Sequence, residues 1–475
     1  MFIGLNIGIP NGGGKVKLSY SSYLGPVATR GRLNNFYSTS NSVQYIQSRT
    51  RHVATDNIAS AKLVFADIYP SGTSENAVSL TGTITASIEY PAGTFNQVLF
   101  SGDPTGTLNN TILESDLVTL STPIPNGAEF WVRNYRAGAG GNYPYSTDGL
   151  NWFWGSASGE ACDAGSTART DRTMSGTITN NSFQNIIYRP TAIIGYTTKP
   201  TFYILGDSRT RISEGGGSLD MNLDINGLVG SIEPAMGVTG CGFINGAVSG
   251  DSYFNITQAG VYTKRALLAD YCTHIIDMYG INDLGTAGTL SVGTLNSYVG
   301  TMHTLLGSTK PYYRCTLGPR TTSTDAWRSL VNQTAVASNS YRVAWNNAMR
   351  DGSITNATGF IEIADHNESS RDSGLYSVST MRTLTNDVSS TLSSTTVTSA
   401  GGNFLSSDAG KSLVGIGGGT LRVITNATTA TLQLAATATN SNVTAMIGTL
   451  TRDGLHNTAY ADSLIASANP FGVIY

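Results

Sequence analysis

The sequence predicts an α/β protein: a three-layer domain with a parallel sheet, preceded by an N-terminal β-sandwich-like domain and interrupted by a small β module. Three observations carry this. Through residue 198, short runs rich in Thr, Val, Ile and aromatics alternate with Gly, Pro, Asn and Asp turn signals, and no stretch holds a helical period. From about residue 200, short apolar runs suited to fully covered strands are separated by helical segments. Between about 378 and 448 the helical pattern stops, in a stretch of Ser, Thr, Ala, Gly, Val and Leu with few charges.

The composition agrees with a β-rich exterior. Only 12% of the 475 residues are charged, against about 25% in an ordinary soluble domain. Polar surface must therefore come from Ser, Thr, Asn and the 54 glycines, which suits sheets and turns better than long exposed helices. The length implies two or three domains. A net charge of −3 with no basic stripe weighs against a nucleic-acid partner. No apolar run is long enough to span a bilayer, and residues 1–20 lack the basic region and apolar core of a Sec signal. The four cysteines, Cys162, Cys241, Cys272 and Cys315, are widely spaced. They read as small buried hydrophobes rather than a disulfide framework or a zinc site.

In chain order, residues 1–198 form the β-sandwich or jelly-roll-like domain, with strands expected at 61–66, 82–90 and 128–133. Its expected role is attachment or carbohydrate contact. Two aromatic clusters, Tyr143-Pro144-Tyr145 and Trp152-Phe153-Trp154, suit either a sugar-stacking platform or a sandwich core with an aromatic turn, and the second reading is preferred. The stretch 8–16 imitates a phosphate loop. However, Ile9 stands where the first Gly is needed, and Val16 where Ser or Thr must hold magnesium.

Residues 199–377 form the first part of the α/β domain. Buried parallel strands are expected at 201–205, 242–245, 274–279, 312–317 and 359–363, with helices at 261–270, 290–306 and 325–350. Residues 378–448 form the inserted module, with strands at 392–398, 421–425 and 430–434; a flexible low-complexity loop is the alternative. Residues 449–475 complete the α/β domain, with a helix after Asn457.

Four separated blocks carry the chemistry. Gly206-Asp207-Ser208-Arg209 follows the first parallel strand, and the carboxyl ends of strands are where open α/β sheets place their ligands. Asn245-Gly246-Ala247-Val248-Ser249-Gly250-Asp251-Ser252 follows the second, and Gly280-Ile281-Asn282-Asp283 the third. Asp453-Gly454-Leu455-His456 precedes the last helix. Together, and in this order, the blocks resemble the SGNH (GDSL-type) hydrolase family over residues 200–375 and 450–475.

The resemblance implies a three-layer flavodoxin-like domain and a serine esterase, a carboxylic ester hydrolase expected to remove acetyl groups. Ser208 is then the nucleophile, and a serine hydroxyl needs an adjacent base. His456 is that base, taking the proton and later giving it to the leaving alcohol. Asp453, three residues earlier, reaches one imidazole nitrogen and fixes the tautomer. The resemblance further implies an oxyanion hole built from the backbone N–H groups of Ser208 and Gly250 and the side-chain amide of Asn282. Glycine at 250 lets backbone approach a substrate closely. No metal and no organic cofactor is expected.

Blander readings exist for each block. Ser208 and Asp453 are good helix N-caps, and Asn282 and Asp283 suit a turn. His366, in Ala364-Asp365-His366, is the rival base. It is disfavoured because adjacent residues on an extended chain point apart, which leaves Asp365 badly placed to orient it. The 378–448 segment departs from the family, which usually has a short connection there, and it is expected to border the active site.

Many family members deacetylate carbohydrates, so the implied substrate is an acetylated polysaccharide or other glycan, such as a bacterial surface glycan. No large apolar lid segment points to a lipid. Residues 403–413 and 427–432 are similar to small β modules of phage tailspikes. The expected setting is therefore a bacteriophage virion, on the tail or surface, with other virion proteins and further copies of this chain as partners and no membrane. Outside a virion, the expected site is extracellular without a Sec signal, or cytoplasmic. The competing reading is a non-catalytic virion structural or receptor-binding protein on a degenerate esterase scaffold, which has no need of Ser208, His456 and Asp453 all intact.

Overall fold

The computed structural model describes residues 20–34, 36–38, 43–70, 74–75, 81–138, 143–145, 159–180, 187–211, 227–286, 290–416, 419–432 and 435–474. The loop-like stretch 8–16 and the Trp152-Phe153-Trp154 cluster lie outside these residues, as do the side chains of Tyr143 and Tyr145.

The N-terminal strands are β1 (Tyr23–Pro26), β2 (Phe36–Ser38), β3 (Tyr45–Val53), β4 (Ile58–Ala66), β5 (Gly82–Glu89), β6 (Phe95–Val98) and β7 (Gly106–Leu108). There follow β8 (Ile112–Glu114), β9 (Val118–Ile124), β10 (Glu129–Ala137), β11 (Tyr143–Tyr145), β12 (Ala161–Gly165) and β13 (Ala192–Thr197). Strands β2 and β11 form a ribbon. The others make two antiparallel sheets, β1-β13-β4-β8 with β9 also on β4, and β12-β3-β10-β5-β6 with β7 also on β5.

The two sheets enclose one apolar core, with Ile84, Ile88, Phe130 and Val132 facing Ala61, Leu63 and Phe65. Successive side chains of a strand point to opposite faces. Val64 and Ala66 of β4, and Ala192 and Ile194 of β13, therefore point the other way, into the core of the next unit. This sheet is covered on both faces, which is why 61–66 reads as a nearly continuous apolar run.

The next unit holds β14 (Phe202–Leu205), β15 (Phe243–Asn245), β16 (His274–Asp277), β17 (Tyr312–Cys315), the hairpin β18 (Thr321–Ser323) and β19 (Gln333–Ala335), and β20 (Gly359–Ile361). Its sheet runs β15-β14-β16-β17-β20, with every pairing parallel. Counted from β14 the order is 2-1-3-4-5, and such sheets place ligands at the carboxyl ends beside the first and third strands. The helices are α1 (Ser208–Arg211), α2 (Glu233–Thr239), α3 (Tyr253–Ile256), α4 (Thr263–Leu268), α5 (Ile281–Thr286), α6 (Val292–Leu306), α7 (Asn339–Arg350) and α8 (Ala459–Ala468). Helix α2 packs on α8, and α6 on both α4 and α7.

The expected helix at 325–350 begins only at Asn339. Before it, the Asp325 carboxylate gathers the hydroxyls of Ser323 (2.8 Å) and Ser329 (2.6 Å), the Asn332 amide (3.0 Å) and the Arg328 N–H (3.1 Å). Such local side-chain bonds compete with a helix. Ala326 and Trp327 then take φ of 57° and 58°, a left-handed conformation that no right-handed helix admits.

The N-terminal region continues the parallel sheet at its β15 edge. Asn245 donates its N–H to Gly31 O (2.8 Å), and Leu33 donates to Asn245 O (3.1 Å). A Cβ at Gly31 would lie 2.7 Å from Phe243 O, so only glycine allows this approach. The edge strand is thereby covered.

Strands β21 (Arg382–Ser390), β22 (Thr396–Ser399), β23 (Ser412–Val414), β24 (Gly419–Asn426), β25 (Thr429–Leu432) and β26 (Asn440–Ile447) close into a barrel, in the order β21-β22-β25-β24-β23-β26. Leu384, Val388, Val397, Leu413, Leu421, Leu432 and Ile447 fill it. Arg382 pairs with Ile447, so the chain enters and leaves the barrel side by side.

Candidate active site

The site is assembled at the carboxyl ends of β14, β15 and β16. Residues 206–207 turn the chain out of β14 into the single turn of α1. A Cβ on Gly206 would fall 2.0 Å from the Thr210 hydroxyl, so the turn requires glycine. Asp207, not Ser208, caps α1. Its carboxylate accepts the Arg209 N–H (3.0 Å), and its carbonyl accepts those of Thr210 and Arg211 (3.1 Å each). The guanidinium of Arg209 grips Gly318 O (3.0 Å) and Pro319 O, fastening α1 to the loop after β17.

With capping done by its neighbour, the Ser208 hydroxyl faces His456 Nε2 at 2.7 Å. His456 Nδ1 lies 2.7 Å from Asp453 Oδ2. A carboxylate only accepts, so Nδ1 donates here and Nε2 is left to accept from Ser208. The structure thus brings together Ser208, His456 and Asp453, the last two 248 and 245 residues downstream of the first.

The Asp453–His456 turn is held from several sides. Asp453 Oδ1 accepts the backbone N–H groups of Leu455 and His456, both at 2.8 Å. Thr451 donates its hydroxyl to His456 O (2.7 Å) and accepts the Gly454 N–H (2.9 Å). Thr321 of β18 donates to Gly454 O (2.8 Å), and the Tyr376 hydroxyl to Leu455 O (3.0 Å). Gly454 sits at φ 76°, and a Cβ there would lie 1.9 Å from Thr321 O. The barrel joins this bracing. Arg452 donates to the Thr420 hydroxyl of β24 (3.0 Å), and Ser412 of β23 to Thr449 O (2.9 Å).

Gly250 and Asn282 reach the same end through neighbouring residues. Val248 donates its N–H to Gly206 O (3.1 Å), fastening the β15 loop beside the Ser208 turn. Asn282 donates its amide to Asp251 O (2.8 Å), joining the loop after β16 to that after β15. Gly250 takes φ 83° at the exposed tip of its turn, where an added Cβ would meet open space. Among the described residues, neither the Ser208 nor the Gly250 N–H has a protein acceptor. Asp283, for which a turn is the blander reading, caps α3, accepting the N–H groups of Tyr253 (3.0 Å) and Phe254 (2.9 Å).

The carboxyls divide electrostatically. Burial acts to raise Asp453, but the His456 hydrogen bond and charge, with the two backbone N–H groups, bring it down to about 2. Burial pushes Asp207 up to about 6, against the opposing pull of the Arg209 N–H and guanidinium and of His456.

The rival base and the remaining titratable groups considered fall elsewhere. His366 lies on a turn at Ala364–His366, and Asp365 beside it pairs with Arg350 (3.1 Å) and Arg371. His274 is buried in β16, where desolvation lowers it to about 4. The four cysteines are buried, and none forms a disulfide.

The sequence gives no role to Asp251 and no signal at all for Thr451 and Tyr376, which hold these loops in place. Asp251 alone had a signal, its place beside Gly250.

No family model matches the sequence, and no curated protein does. Solved structures that resemble the chain include a lipase/acylhydrolase from Enterococcus faecalis, at 15% identity, 38% of this chain, 87% of that chain and a TM-score of 0.25. A carbohydrate acetylesterase from Sinorhizobium meliloti matches at 16% identity, over 35% of this chain and 85% of its own, with a TM-score of 0.26. A GDSL-like lipase from Bacteroides thetaiotaomicron matches at 11% identity, over 34% and 68%, with a TM-score of 0.24.

Proposed function

We propose that this chain is a serine esterase of the SGNH type and removes acetyl groups from a glycan. The observation that carries the reading is the unbroken hydrogen-bond chain from Ser208 through His456 to Asp453, at 2.7 Å for each link. A structural scaffold needs no such chain at a sheet's ligand-binding end.

In this reading the Ser208 oxygen attacks the ester carbonyl as its proton passes to His456 Nε2. The tetrahedral oxyanion is met by the Ser208 and Gly250 N–H groups and the Asn282 amide, each such donor being worth about 3–4 kcal/mol. His456 then protonates the leaving sugar hydroxyl, and an acyl group stays on Ser208. Water, deprotonated by His456, attacks that ester; the bond between the acyl group and the Ser208 oxygen breaks, His456 returns the proton to Ser208, and the acid is released. The ionised Asp453 stabilises the imidazolium in both halves. A glycan is favoured over a lipid because the ion-poor exterior offers hydroxyl and amide groups. A place on a phage virion rests on the texture of the barrel segment, and antibody labelling of particles tests it.

The test is hydrolysis of p-nitrophenyl acetate by the wild type and by Ser208→Ala, with acetate release from an acetylated polysaccharide measured alongside. Turnover abolished in a folded Ser208→Ala supports the esterase, and polymer deacetylation supports the glycan. Equal background rates in both proteins refute the mechanism.

A further inference from the structure

We propose that Glu75, Arg265 and Asp251 form a positioning relay through which the N-terminal region sets the geometry of the oxyanion donors, an inference that rests on the esterase reading above. The relay starts at Glu75. Its carboxylate accepts three N–H groups: Lys264 N (2.6 Å), Arg265 N (3.1 Å) and Arg265 Nε (2.9 Å). It thereby caps α4 and fixes the Arg265 side chain at its root. The far end of that guanidinium donates to Asp251 Oδ2 (2.6 Å), which also accepts the Tyr279 hydroxyl (3.2 Å).

Asp251 then connects to both remaining oxyanion donors. It follows Gly250 directly, and its own N–H closes the turn onto Val248 O (3.2 Å). Its carbonyl accepts the Asn282 amide (2.8 Å). One residue therefore fixes where the Gly250 N–H points and how the Asn282 side chain is rotated.

The relay is dry. Arg265 is fully buried, Asp251 is 2% exposed and Glu75 6%. Tyr262 stacks on the guanidinium at 4.0 Å, and the Arg265 carbonyl accepts the Tyr203 hydroxyl at 3.0 Å. Charge-assisted bonds in such surroundings are short, strong and directional. Glu75 lies 190 residues from Arg265 in sequence and belongs to the N-terminal region, so that region contributes geometry to the reaction.

The test is a double-mutant cycle read in kcat on p-nitrophenyl acetate. In Glu75→Gln the amide nitrogen must face one of the three donors whichever way it turns. We expect kcat to fall roughly tenfold, part of the 10²–10³ lost with a whole oxyanion donor, with KM within about a factor of two. In an Asn282→Ala background, where one donor is already gone, the same substitution should cost several-fold less. Equal losses in both backgrounds would show a general structural role and overturn the relay, as would an unchanged kcat in folded Glu75→Gln. If Glu75→Gln does not fold, Asp251→Asn breaks the relay at its other end and is read in the same cycle. A wild type with no Ser208-dependent turnover overturns the esterase reading and the relay together; an active wild type with additive effects overturns the relay alone.

Discussion

Replacing Asp453 by Asn tests the site more sharply than deleting it. Asp453 Oδ1 accepts two backbone N–H groups at 2.8 Å, so the oxygen of an Asn side chain must occupy that position. Its NH2 group then takes the place of Oδ2 and points at His456 Nδ1 from 2.7 Å. Two donors cannot face each other, so Nδ1 must give up its proton and the imidazole must carry it on Nε2. That proton points at the Ser208 hydroxyl, also at 2.7 Å, and the ring can no longer accept from serine. The turn itself keeps both backbone bonds.

The expected outcome is a folded protein with kcat on p-nitrophenyl acetate lowered by about 10⁴, or about 5.5 kcal/mol in the barrier, the scale of tautomer inversion in serine triads. Circular dichroism checks the fold, and KM should change little because Asp453 touches no substrate. Asp453→Ala, which imposes no tautomer, should be no worse than Asn. A folded Asp453→Asn that keeps a tenth of wild-type kcat would refute the assignment of roles.

Two further predictions concern stability and the barrel. The Asp207 carboxyl stands at about 6 in the folded protein, above an ordinary value near 3.9, so the native state binds its proton more tightly than the unfolded chain. Nothing is lost below pH ~4. As pH rises through 6 the buried charge costs up to about 3 kcal/mol. Asp207→Asn removes that titration, and its stability relative to wild type, from denaturant unfolding, should improve between pH 4 and pH 8; a pH-independent difference contradicts it. Replacing 382–447 by two glycines should leave a folded α/β unit, since Arg382 and Ile447 are paired. The bonds from Thr420 and Ser412 to the catalytic turn are lost, and at about 1 kcal/mol each they should cost kcat on small esters roughly fivefold to thirtyfold. Selective loss of polymer deacetylation would assign the barrel to substrate binding, and equal loss on both substrates would make it a brace.

What could be read in the sequence was local. The parallel strands announced themselves because each is a short, largely apolar run between helical segments, and the four blocks because each sits within eight consecutive residues. The barrel was half legible. β21 turns only Leu384 and Val388 inward among polar residues, so its alternation is too sparse to register until closure supplies the opposing wall. The helix expected at 325–350 failed at Asp325, whose side-chain bonds outcompete the backbone ladder over one turn. The Asp453–His456 turn was legible in its residues but not in its supports, because Thr321 of β18 and Tyr376 lie 133 and 78 residues before Gly454 and no local pattern marks their approach to it.

The division of the chain at 198–199 is where sequence reasoning was least informative. Composition changes there, yet the buried charges do not respect the change. Arg32 forms a bidentate pair with Glu233 at 2.6 and 2.5 Å, both fully buried, and Asn245 donates to the same carboxylate at 2.8 Å. Asn245 also holds Thr210 O (3.1 Å), and Arg211 holds Leu33 O (2.9 Å), so these links end within three residues of Ser208. Removing one partner of a buried pair typically costs 3–5 kcal/mol, because the other charge stays behind in a dry site. A chain beginning at 199 would strand Glu233, whose cation partner is Arg32, and take Glu75 from Arg265, while uncovering the β15 edge and the face of the α/β core that the β1-β13-β4-β8 sheet covers. The N-terminal region is thus a part of the α/β unit's interior, and the Ser208 turn rests on it.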